Sequence, residues 1–60
     1  MPKYMVITKG DGEVWAAFFD SITEAEDYKM DGECGMGFYA EVYERMTDKD
    51  GAEYYEFMYS

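Results

Sequence analysis

The hydrophobic period changes twice along the chain. Lys3-Tyr4-Met5-Val6-Ile7-Thr8-Lys9 and the stretch from Glu13 to Phe19 are short runs of β-branched and aromatic residues, which predict two strands. Between them Gly10-Asp11-Gly12 tolerates the positive φ angles of a tight hairpin turn. The pattern then becomes helical. Ser21-Ile22-Thr23-Glu24 has the form of a capping box, with the Ser hydroxyl accepting from an early amide and Glu24 reaching back. Ile22, Ala25 and Tyr28 follow at i, i+3 and i+6 and make one narrow apolar stripe. Gly32 is placed to stop this helix as a C′ glycine, and Glu33-Cys34-Gly35-Met36 is expected to be loop. From Gly37 the period is two: Phe38, Ala40 and Val42 point one way, and Tyr39, Glu41, Tyr43 and Arg45 the other. Thr47 to Gly51 reads as a second turn and Ala52 to Tyr59 as the last strand.

The order ββαββ predicts a single domain over residues 1–60, of α+β class: a two-layer fold with a four-stranded antiparallel sheet in the order 2-1-3-4 and one helix packed on one face. The helix covers only one side of the sheet. On the last strand Tyr55, Phe57 and Tyr59 are expected inward, leaving Tyr54, Glu56 and Met58 on the open side with Tyr39, Glu41, Tyr43 and Arg45. The first two strands are apolar on both faces, so the sequence leaves their orientation open. An uncovered face with this much aromatic surface is either solvated and held by cross-strand aromatic pairs, or an interface.

Composition sharpens the picture. Hydrophobic residues make up 48% of the chain and aromatics 20%, which separates it from disordered acidic tails. The formal net charge is −9, which disfavours direct contact with nucleic acid or an anionic membrane and favours a basic protein surface. With no histidine and one cysteine, the chain has no Ser-His or Cys-His dyad, imidazole ligand set or internal disulfide. No apolar run reaches transmembrane length and the first residues lack a signal-peptide pattern, so a soluble cytoplasmic protein is expected.

Between Glu24 and Glu33 lie five acids, Glu24, Glu26, Asp27, Asp31 and Glu33, with only Lys29 among them. Helical residues three or four apart have Cβ atoms about 5–6 Å from one another, a spacing near that of successive phosphates on a nucleic-acid strand. Such a surface can enter a Lys/Arg groove evolved for phosphates. Its bland counterpart is a solvated helix face that keeps the protein soluble.

Other constellations fit chemistry less well. Asp48-Lys49-Asp50-Gly51, set against a calcium loop, puts Met46 at the first ligand position and Phe57 at the last, so a turn is the better reading. Gly32 to Gly37 follows a helix rather than preceding one and lacks a phosphate-binding lysine. Cys34 sits beside Glu33, which does not favour its thiolate. Paired carboxylates suit glycoside hydrolysis only in a cleft, and a chain this short has little volume for one of about 300 Å³. No enzyme activity, cofactor or metal site is therefore expected.

In size, acidity and element order, with Phe19-Asp20-Ser21-Ile22-Thr23-Glu24-Ala25-Glu26 leading from strand to capped helix, the chain resembles small inhibitor proteins of phages and mobile elements, such as anti-CRISPR proteins and uracil-DNA glycosylase inhibitors. The resemblance implies a stoichiometric, non-enzymatic binder that blocks a nucleic-acid-handling protein. The residues expected at such a surface are Glu24, Glu26, Asp27, Asp31 and Glu33 for charge, with Tyr39, Glu41, Tyr43, Tyr54 and Glu56 as a mixed aromatic patch. The alternative is a homodimer with the open sheet face as its seam. A third reading makes Trp15, Tyr39 and Tyr43 a small-ligand surface.

Overall fold

A computed structural model describes residues 1–35 and 37–60, so Met36, placed in the expected loop, lies outside the described residues. Strands β1 (Tyr4–Gly10), β2 (Glu13–Phe19), β3 (Tyr39–Thr47) and β4 (Glu53–Tyr59) form one antiparallel sheet in the order β2-β1-β3-β4, and helix α1 (Ile22–Met30) crosses between β2 and β3. This is the two-layer α+β architecture that the hydrophobic pattern predicts.

Local chemistry sets each boundary. Asp11 (φ 52°) and Gly12 (φ 78°) occupy the two central positions of the first hairpin, where a two-residue turn matching the twist of its strands needs positive φ. In the second hairpin the Asp48 carboxylate accepts from the Asp50 and Ala52 amides at 2.8 and 2.9 Å. That carboxylate is thus occupied in holding a turn. Helix α1 starts where Ser21, in extended geometry, accepts from the Glu24 amide at 3.2 Å. Among the described residues the reciprocal bond from Glu24 is not made, which leaves its carboxylate outside the cap.

Gly32 does not stop the helix. Asp31 keeps right-handed geometry (φ −59°, ψ −44°), its amide is shared between the Asp27 and Tyr28 carbonyls, and the chain runs on into a π-helical turn at Asp31–Gly35. The Gly32 carbonyl finds its donor in the lead to β3, the Phe38 amide at 3.0 Å, so no left-handed glycine is needed there. Positive φ falls instead on Gly37 (φ 72°).

The core is small. Val6, Ala25, Ala40 and Val42 are fully buried, with Tyr4, Phe19, Ile22, Tyr28 and Tyr59 packed around them. Ala25 meets the sheet at its centre, and the stripe Ile22-Ala25-Tyr28 faces inward as its spacing predicts. Directly opposed residues share a face, so the register settles what the sequence left open. Tyr4, Val6 and Thr8 of β1, with Trp15, Ala17 and Phe19 of β2, lie on the helix side; Met5, Ile7, Val14, Ala16 and Phe18 lie on the open side.

The expectation for β4 is corrected by a bulge. Val42 opposes Tyr59, but Tyr43 opposes Phe57, leaving Met58 as an extra residue. The inserted residue reverses the faces. Tyr59 packs on the core, whereas Tyr55 and Phe57 face the open side, with Tyr55 against Phe18 at 6.0 Å and Phe57 against Tyr43 at 5.7 Å between ring centroids. Tyr54 and Glu56 oppose Met46 and Glu44, and Glu44 opposes Tyr4, which puts both on the helix side beyond the edge of the core.

Candidate functional site: an acidic helix and an aromatic recess

The expected surface divides into two faces. Glu24, Glu26, Asp27, Asp31 and Glu33 lie on α1 and the π-helical turn, whereas Tyr39, Glu41 and Tyr43 lie on the open side of β3. Tyr54 and Glu56 do not join that patch, because the bulge turns them to the other face. Trp15 is also on the helix side, so it shares no surface with Tyr39 and Tyr43 and the small-ligand reading built on the three is corrected.

The five helix acids are not equivalent. Lys29 reaches Glu33 at 2.5 Å, four residues on, and this hydrogen bond holds the Glu33 carboxyl below its ordinary pKa. Glu26 accepts from the Tyr59 hydroxyl at 3.1 Å, and Lys29 lies 5.7 Å from the centre of the Tyr59 ring. The Tyr59 phenol is pushed above its usual value, first by burial and then by the Glu26 bond. Glu26 therefore ties α1 to the end of β4, and Glu33 ties the π-helical turn to α1. Glu24, Asp27 and Asp31 are different: spaced i, i+3 and i+7 they share one helix stripe, all three are exposed, and they make no ion pair among the described residues.

The open sheet face is nearly charge-balanced. Its carboxylates within strands, Glu41 and Glu53, meet Lys9 at 3.3 Å and Arg45 at 4.0 Å. Tyr43 donates to Glu41 at 3.3 Å, and its own phenol is raised by burial first and by Glu41 second. Around these pairs Val14, Phe18, Tyr39 and Phe57 are exposed.

A third feature escapes the sequence. A nine-residue helix is about 13.5 Å long, whereas a seven-residue strand spans about 24 Å, so the end of the sheet near the first hairpin is not roofed by α1. There Thr8, Trp15, Tyr28, Asp31, Gly32 and Phe38 line a recess of about 170 Å³. Trp15 donates to the Tyr28 hydroxyl at 3.1 Å and stands edge-on to Phe38, with 5.2 Å between ring centroids. Gly10 makes room for that ring: a Cβ there would lie 2.8 Å from Phe38 Cγ and 2.6 Å from Cε1. Sequence spacing gives no sign of a contact between Gly10 and Phe38, which meet only through the β1–β3 pairing.

No protein-family model, curated protein or solved structure matches the chain. Among the described residues no helix is long and apolar enough to cross a membrane.

Proposed function

We propose that the protein is a non-enzymatic interaction module, an acidic inhibitor whose helix face occupies the basic nucleic-acid-binding surface of a target protein. The observation that carries this reading is the stripe Glu24, Asp27 and Asp31: three exposed carboxylates with no ion pair among the described residues, in a molecule of net charge −9. Glu26 and Glu33, by contrast, are tied to the fold. The stripe, held on a capped helix, presents charge at fixed spacing to a Lys/Arg groove.

The test is a pull-down from source lysate, followed by elution with a short DNA duplex and, separately, with a salt gradient. The target should be displaced by the duplex. The triple reversal Glu24→Lys, Asp27→Lys and Asp31→Lys should weaken capture on the order of tenfold, given about 0.2–1 kcal/mol per exposed pair, and flatten its salt dependence. Unchanged affinity in the triple variant refutes the proposal.

The open sheet face favours a second reading, a homodimer that buries Val14, Phe18, Tyr39 and Phe57. The two readings use opposite faces and are not exclusive.

A further inference from the structure

We propose that the recess beside the π-helical turn is a seat for the guanidinium of one arginine side chain of the basic partner. The inference rests on the acidic-surface reading for its partner, but the site is built from other residues. At about 170 Å³ the recess is well below the roughly 300 Å³ at which sites for drug-sized ligands begin. It is also several times the ~30 Å³ share of one water. That is room for the end of a side chain rather than a whole metabolite.

Its chemistry selects the occupant. Trp15, Tyr28 and Phe38 surround it with aromatic rings, whose faces attract cations, and Asp31 adds a carboxylate with no ion pair among the described residues. Thr8, 2% exposed, contributes to the same wall. A guanidinium brings several N–H donors, is weakly hydrated and stacks on aromatic rings, whereas an ammonium is more strongly hydrated and lacks a flat face. The acidic stripe leads to the site, since Asp31 belongs to both. In this arrangement α1 supplies long-range attraction and the recess supplies the short-range anchor.

Trp15 is the chain's single tryptophan, so the site reports on itself. The intact protein is titrated with N-acetyl-arginine amide, and with the citrulline, lysine and leucine analogues, at constant ionic strength, following Trp15 emission. The arginine probe should give a saturable change with a dissociation constant of about a millimolar, the scale open to so small a group. Citrulline, nearly the same shape without the charge, should bind at least tenfold more weakly, and lysine several-fold more weakly. Asp31→Asn, an exposed change, should weaken the arginine probe about three- to fivefold. Equal responses to arginine and citrulline, tighter binding of leucine, or no saturable response overturn the site. If the arginine probe fails while reversal of the helix acids still flattens the salt dependence of partner capture, the anchor alone is lost. If the probe binds while the triple reversal leaves capture unchanged, the acidic-surface reading is lost instead.

Discussion

At the scale of single residues the structure turns on close approach. Gly10 is conformationally ordinary but sterically necessary, because the Phe38 ring lies where its side chain would be. Gly10→Ala must push that ring off Trp15 or bend the end of β1. Overpacking of this kind costs about 1–3 kcal/mol, so urea unfolding should show that loss, and Trp15 emission in the folded protein should shift to longer wavelength as the Phe38 ring leaves it. Unchanged emission with full stability would mean that the ring has another seat. The same scale shows where sequence reading fails. Met5 and Ile7 are better core residues by hydropathy than Tyr4 and Thr8, yet Thr8 is buried and Met5 and Ile7 face the open side. The alternation of a strand apolar on both faces contains no sign of direction. Here Ala25 and Val42 decide it, by fitting against Val6.

At the scale of elements, the hairpins, the cap and the helix stripe were legible because each depends on neighbours in sequence: Asp11-Gly12, Ser21 with the Glu24 amide, and Ile22-Ala25-Tyr28. Two features were not. The bulge at Met58 depends on β4 reaching Val42 with Tyr59, and the π-helical turn depends on a bond from Phe38, both supplied by another element. The pairing of Lys29 with Glu33 fastens α1 to that turn, and it makes a pH prediction. A carboxyl whose pKa is lowered by folding stabilises the fold at pH above its unfolded value, and this contribution is lost as pH falls through the lower folded value. Lys29→Gln removes the charged hydrogen bond that lowers the carboxyl, so Glu33 should titrate closer to its ordinary 4.5, and acid unfolding should lose the Glu33 component. Carbon-detected NMR titration of the Glu33 carboxyl reads this directly; an unmoved midpoint would show that the bond to Lys29 is not what lowers it.

At the scale of the whole molecule, charge and apolar surface are segregated. Two copies carrying −9 each repel one another. The open sheet face is where that repulsion is weakest, since Glu41 and Glu53 there are matched by Lys9 and Arg45. Four strands about 4.8 Å apart and seven residues long give a face of roughly 19 by 24 Å. Two such faces together bury on the order of 1,000 Å², at the lower edge of specific interfaces. A dimer formed this way should be weak, and it should strengthen with salt, because screening removes the repulsion between acidic exteriors while leaving apolar contact intact. Sedimentation equilibrium at micromolar protein should therefore show more dimer at high ionic strength than at low. Phe57→Lys, exposed at 51% and on the open face, should return the protein to monomer without unfolding it. The opposite salt dependence, that of an acidic surface meeting a basic one, is what the proposed function expects of the helix face. For self-association the sign of the salt effect tests the chemistry of the seam: dimerisation that weakens with salt would mean that carboxylates of one copy meet cations of the other, and would refute an apolar seam on the open face.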